Sequence, residues 1–149
     1  LYQKLLPYAK VEKIKDKENI KIFFMDNVKV DFVNYSIYPW LDEPIVEEDI
    51  RLASPKDIAA MKINAIEGRG AKKDFIDIYF LLQHYSLDDI LKFYAQKYPN
   101  YSIYRALMSL TYFADADPKE MPIIFADVEW EEMKSIIKKQ VSDFESSRR

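Results

Sequence analysis

Apolar positions in the first third of the chain recur every second residue, whereas from Ser54 onward they recur every third or fourth. In VKVDFV, Val28, Val30 and Phe32 fall on one side and Lys29, Asp31 and Val33 on the other, the period of a half-buried strand. The runs VEKIK and NIKIFFM precede it, and Asp26-Asn27 separates the last two as a tight-turn pair. An antiparallel sheet is therefore expected, with Asp31 pointing away from the Val30/Phe32 face. Leu1, Tyr2, Leu5 and Leu6 suit the end of a helix stopped near Pro7. The prolines and acids of YPWLDEPIVEED predict a loop from Ser36 to Asp49, followed by a short strand at Ile50–Leu52.

Ser54-Pro55-Lys56-Asp57 is a strong helix start: Ser54 can cap, Pro55 suits the first helical position, and Asp57 favours the positive end of the helix dipole. Helices are expected over about 55–67, 72–84, 87–97, 102–113 and 129–145. The last carries Trp130, Met133, Ile136, Ile137 and Val141 at helical spacing, an amphipathic face to pack on the domain. Strands come first and helices after, which defines an α+β fold: a small antiparallel or mixed sheet region over 1–52, then a helical bundle over 53–149.

Composition narrows the class. Hydrophobic residues make up 49% and charged residues 32% of the 149, enough apolar material for a real core. The net charge of -3 gives no bulk attraction for nucleic acid or anionic membrane, so a polyanion would need a local basic patch. Cysteine is absent, which excludes disulfides and thiolate zinc sites and agrees with a cytoplasmic setting. No apolar run approaches the roughly 20 residues of a membrane span, and no signal peptide is visible. The chain opens on Leu1 and not on Met, which sets the expectation of a segment upstream.

Candidate chemistry concentrates in KINAIEGRGAKKDFIDIYFLL, Lys62 to Leu82. Two helical patterns meet there across Gly68-Arg69-Gly70. Asp74 and Asp77, three residues apart, share one face of a helix that is otherwise almost wholly apolar. Such carboxylates must meet a cation, a metal, a ligand or water. Lys62, Arg69, Lys72 and Lys73 are the nearby cations. A strand carboxylate (Asp31), a helix lysine (Lys62) and a carboxylate pair are the materials of metal-assisted phosphoryl or nucleotidyl transfer, because carboxylates suit Mg²⁺ and cations offset phosphate charge. Salt-bridged structure is the plainer alternative.

Lys62, Ala65, Ile66, Arg69, Lys73, Asp74 and Asp77, led in by ASPKDIAAMK, resemble the signature of AbiEii/AbiGii-type nucleotidyltransferases, the toxin halves of abortive-infection toxin–antitoxin pairs. VKVDFV resembles the third-carboxylate strand of the wider polymerase-β-like superfamily. The likeness covers about Val28 to Leu82; beyond it only the helical character agrees. It implies that Asp31 supports a catalytic Mg²⁺, that Lys62 contacts nucleotide phosphates with Arg69 and Lys73 nearby, that Asp74 is an essential acid or orienter, and that Asp77 and Arg69 secure the helix pair. It further implies NTP as substrate, an acceptor for which RNA is the candidate, and an antitoxin as protein partner. The family's Gly-Ser or Gly-Gly loop with its following Asp-x-Asp strand does not occur in these residues. The expectation is that it precedes Leu1, so that this chain alone is inactive. A non-catalytic module that docks an antitoxin is the alternative function, and a truncated sheet edge makes a homodimer conceivable.

Other features are weaker. Asp115-Ala116-Asp117 follows a helical run, precedes Pro118 and lacks a glycine loop, so it reads as a helix end. His84, the sole histidine, closes an apolar helix and reads as structural. Gly68-Arg69-Gly70 reads as a helix cap and turn. Tyr94, Tyr98, Tyr101, Tyr104, Tyr112 and Phe113 could stack bases, but without interleaved basic residues core packing is favoured.

Overall fold

The computed structural model describes residues 1–148. It is α+β, and the chain divides into two compact units, Leu1–Pro39 and a second that begins at Trp40.

In the first unit a short helix, α1 (Tyr2–Leu5), precedes strands β1 (Val11–Asp16), β2 (Ile20–Met25) and β3 (Val28–Val33). They form an antiparallel sheet in the order β1-β2-β3. Asp26 and Asn27 turn the β2–β3 hairpin with φ of 48° and 69°, the left-handed pair that a two-residue turn requires and that Asn and Asp tolerate. The Asp26 carboxylate also accepts the Lys10 amide at 2.9 Å, tying the turn to the entry of β1. Phe23 is fully buried and packs against Tyr2 and Phe32, with ring centroids 6.1 and 5.9 Å away. Val30 and Phe32 are half-buried and Lys29, Asp31 and Val33 exposed, the alternation read from the sequence.

The second unit opens with a feature the sequence reading missed. Within the expected Ser36–Asp49 loop lies a strand, β4 (Ile45–Glu47), which pairs antiparallel with β5 (Ile50–Leu52). Glu48 and Asp49 make the turn, at φ of 48° and 65°. No Asn or Gly announces it, which is why it read as loop.

Five helices follow: α2 (Pro55–Arg69), α3 (Lys72–Leu81), α4 (Leu87–Lys97), α5 (Ile103–Leu110) and α6 (Trp130–Ser146). Ser54 caps α2 as expected, its hydroxyl accepting the Asp57 amide at 3.1 Å. α2 runs through Gly68 and ends at Arg69, with Gly70 in the left-handed conformation (φ 52°). Gly70 thus makes the corner between α2 and α3, and only its torsion demands glycine, since a Cβ there would meet nothing nearer than the Ile66 carbonyl at 3.7 Å. α3 and α5 stop short of their expected ends; Thr111 closes α5, its hydroxyl donating to the Met108 carbonyl at 3.1 Å. The core joins Ala59, Ala60 and Ile63 of α2 to Phe75 and Ile78 of α3, Ile90 and Tyr94 of α4, Leu110 of α5 and Met133 and Ile137 of α6. Phe75, Phe113 and Trp130 form an aromatic trio, with Phe75 and Phe113 centred 4.8 Å apart. Among the described residues no helix is long and apolar enough to cross a membrane.

Candidate functional site

The corner at Gly70 brings the end of α2 over the start of α3. Arg69, in the last turn of α2, reaches across it and grips Asp74 with a fork: Nε donates to Oδ2 and Nη2 to Oδ1, both at 2.8 Å. Lys62, two turns earlier on α2, donates to the same Oδ1 at 3.3 Å and pairs with Asp77 at 2.5 Å. Lys62, Arg69, Asp74 and Asp77 are therefore one network, which the spacing on the two helices predicts. Asp74 is wholly buried, yet the side chains of Lys62 and Arg69 are 26% and 56% exposed. The buried carboxylate is thus the fixed point, and its cations reach toward solvent.

Burial pushes the Asp74 carboxyl upward, but the Arg69 fork and the Lys62 ammonium outweigh it and hold the group below the ordinary aspartate range. Asp74 is accordingly a carboxylate, suited to orient cations and unsuited to give up a proton.

Lys73 is exposed and lines an open cleft of about 640 Å³ together with Arg69, Lys119, Asp115 and Glu120. Lys72 is buried instead: its ammonium donates to the carbonyls of Asp117 and Lys119, at 3.4 and 2.5 Å, and lies 5.1 Å from the Trp130 ring centre. It pins the segment after α5 to the start of α3. Asp117 is held there as well, accepting from Trp130 Nε1 and Lys134 Nζ at 2.8 Å each, so the Asp115-Ala116-Asp117 tripeptide lies in a turn with a structural task. His84 is exposed, in the turn that ends α3.

Asp31 sits on β3 of the first unit, where Lys29 donates to it at 3.1 Å. It offers a single, half-exposed carboxylate. Among the described residues no group of three or more His, Asp, Glu or Cys is arranged to hold a metal ion. Asp31 by itself does not fit Mg²⁺, which needs several oxygen ligands in near-octahedral order.

A second buried carboxylate escaped the sequence reading. Asp57 is fully buried and pairs at 2.8 Å with Lys97, itself 1% exposed at the end of α4. Asp57 also accepts the Ser54 hydroxyl at 2.6 Å and the Leu41 amide at 3.0 Å. The Lys97 ammonium lies 4.6 Å from the Trp40 ring centre. Local sequence accounted for the helix start, but nothing in it announced a partner forty positions on.

Residues 5–147 match the family described as nucleotidyl transferase AbiEii toxin, type IV TA system. The chain belongs to this family, and the match extends well beyond the Val28–Leu82 stretch that carries the resemblance. It is similar to the uncharacterized protein aq_aa25 of Aquifex aeolicus, with 34% identity over 142 residues, which are 91% of this chain and 66% of the relative. The chain thus spans somewhat less than two thirds of that relative's length. No solved structure matches it.

Proposed function

We propose that this chain supplies the phosphate-positioning half of a nucleotidyltransferase that moves a nucleotidyl group from an NTP to an acceptor hydroxyl. In that reaction the acceptor oxygen bonds to the α-phosphorus as the bond to pyrophosphate breaks. Catalysis rests chiefly on alignment and on offsetting phosphate charge. Lys62 is assigned to the phosphates, with Arg69 and Lys73 as nearby cations. Asp74 holds Lys62 and Arg69 in place, and Asp77 is the exchangeable partner, since it is 42% exposed and can yield Lys62 to a phosphate. The resemblance would make Asp31 a supporting carboxylate for Mg²⁺, which when bound would neutralise charge on a triphosphate, but its lone carboxylate does not fit that ion and no step is routed through it.

One observation carries the reading: the residues that match the family signature, Lys62, Arg69 and Asp74, meet in a single network whose anion is buried and whose cations are open. The test is NTP incorporation into total RNA by the whole protein. Lys62→Ala is expected to reduce it by about a hundredfold, and Asp74→Ala to follow because both cations lose their anchor. Full activity in both variants would sink the assignment. The second reading, a non-catalytic module that docks an antitoxin, would then take its place; it is favoured by the fully exposed Phe125 and by Ile123 beside it. A cytoplasmic location and self-pairing through the edge strands β1 and β3 complete the proposal, the latter measurable as a doubled mass in light scattering.

A further inference from the structure

The hairpin of β4 and β5 is held together by little that the chain itself supplies. All six residues of its two strands are exposed. Its turn puts Glu48 and Asp49 in the left-handed region, at φ of 48° and 65°, a conformation that glycine adopts freely and a glutamate does not. A two-stranded hairpin in water is marginal unless one of its faces is covered. The uncovered face is apolar. Ile45 lies opposite Leu52 and Glu47 opposite Ile50, so three aliphatic side chains share one side with Glu47, while Val46 and Arg51 take the other. Ile50 is 62% exposed and lines, with Leu52, Glu47 and Glu48, an open cleft of about 520 Å³.

The apolar surface continues to Trp40. Leu52 also lines a small pocket with Trp40 and Pro44, and Trp40, Pro44 and Glu43 line a further cleft of about 650 Å³. The buried Lys97 ammonium sits over the Trp40 ring and fixes the indole, yet Trp40 is 56% exposed. A fixed, half-open tryptophan beside aliphatic side chains has the makings of an interface anchor.

Charge decides what covers this surface. Asp42 is paired with Lys56 at 2.9 Å, but Glu43, Glu47, Glu48 and Asp49 have no ion-pair partner among the described residues. Against these four acids stands Arg51 alone, so three negative charges are left uncompensated between Glu43 and Arg51. That equals the net charge of the whole chain, -3, so the remainder balances and a second copy brings no surplus of cations. The same sign turns away polynucleotides and anionic membranes. Nor, among the described residues, are carboxylates grouped to hold a metal ion.

We infer that the β4–β5 hairpin, with Trp40 at its base, is a docking surface for a basic and apolar segment of a protein partner. Lysine or arginine side chains of that segment meet Glu43, Glu47, Glu48 and Asp49, and its aliphatic side chains lie on Ile50, Leu52 and the Trp40 ring. The inference does not rest on the nucleotidyltransferase reading: the surface precedes α2, shares no residue with the network of Lys62, Arg69, Asp74 and Asp77, and includes neither Ile123 nor Phe125.

The test is fluorescence anisotropy of a labelled twelve-residue peptide alternating lysine and valine. With the whole protein at low salt it is expected to bind, and binding to weaken as salt rises. A lysine-serine peptide and a glutamate-valine peptide of the same length should each bind about tenfold more weakly or worse, the first for want of apolar contact and the second by repulsion. Glu47→Lys with Glu48→Lys should cost the lysine-valine peptide about tenfold and admit the glutamate-valine peptide in its place, an exchange that a misfolded variant would not show. Ile50→Thr keeps the β-branched strand character and is expected to weaken the lysine-valine peptide about threefold. On binding, the amide hydrogens of 45–52 should gain protection from exchange. Absence of binding by the wild type, equal binding of the lysine-serine peptide, or an affinity unchanged in the double lysine variant overturns the inference. Self-association of the protein alone that this variant abolishes overturns it as well, and gives the hairpin to a second copy.

Discussion

Two aspartates in the helical unit are buried to the same degree and used in opposite ways. Asp57 meets a cation that is itself buried, and its remaining lone pairs take the Ser54 hydroxyl and the Leu41 amide. Everything there is closed. Asp74 is equally buried, but both its cations emerge to solvent. A closed pair can only hold elements together, here the 40–42 segment, the start of α2 and the end of α4. A buried anion with open cations fixes two positive groups at the surface and leaves them able to take a further anion. Burial of a charge is therefore not the mark of function; the exposure of its partner is the more telling quantity.

The comparison is broken most directly at Lys97. Lys97→Met keeps most of the volume and strands the Asp57 carboxylate, so a loss of about 3–5 kcal/mol is expected in urea unfolding. Asp57→Asn combined with Lys97→Met should recover most of it, because the uncompensated charge is gone. A loss below about 1 kcal/mol for the single variant would show that water reaches this pair and that the closed/open contrast is mistaken. Asp74→Ala is expected to cost less, about 1–3 kcal/mol, because Lys62 and Arg69 can turn to water once freed. Equal costs for the two would remove the distinction.

Acid sharpens the same contrast. At Asp57 burial raises the carboxyl, but Lys97, Ser54 and the backbone amides of Leu41 and Asp42 together outweigh it, so both aspartates titrate below the ordinary value of about 3.9 in the folded protein. Groups depressed on folding contribute stability that is complete above the unfolded value and is lost as pH falls through the folded one. Wild-type stability should therefore be flat near neutrality on this account and decline below about pH 4. The gap to Lys97→Met should begin to narrow already above that pH, because without Lys97 burial raises the Asp57 carboxyl and protonating it relieves the stranded charge. A gap that widens toward acid would mean that Asp57 is not ionised in the wild type.

Much of this was legible in the chain, and the exceptions share a cause. The alternation around Asp31, the Ser54 cap and the meeting of Lys62 with Asp74 and Asp77 depend on neighbours within about four helical turns, which local spacing encodes. β4 was missed because Glu48 and Asp49 adopt the left-handed turn usually left to Asn and Gly. Nothing in the local sequence marks Lys97, because its burial is decided by Trp40 and Asp57, far away in sequence. The tyrosines could not be sorted either, since a ring at helical spacing serves a core or a platform equally well until the packing partners are known. Tyr94 is fixed as core by its hydroxyl, which donates to Glu67 at 2.6 Å.

Gly70 tests how the open site is assembled. Gly70→Ala brings its Cβ only to ordinary contact with the Ile66 carbonyl at 3.7 Å and so costs chiefly the left-handed torsion, about 1 kcal/mol. If the corner serves to place Arg69 over Asp74, this variant should lose more activity than its stability loss accounts for. A fall in incorporation that disappears on cooling would assign Gly70 to folding alone.

The smallest stability effect is expected where the functional effect is largest. Lys62→Gln removes one ammonium from Asp74, which keeps the bidentate Arg69 fork, and leaves Asp77 half-exposed to water. Exposed or half-exposed pairs contribute about 0–1 kcal/mol, so the unfolding midpoint should barely move while NTP incorporation falls steeply. The reverse result, a large loss of stability with incorporation intact, would make Lys62 a second Lys97, a lock whose openness to solvent is incidental. Because Gln can still donate a hydrogen bond, a variant that folds normally and has lost its activity isolates the positive charge as what the site requires.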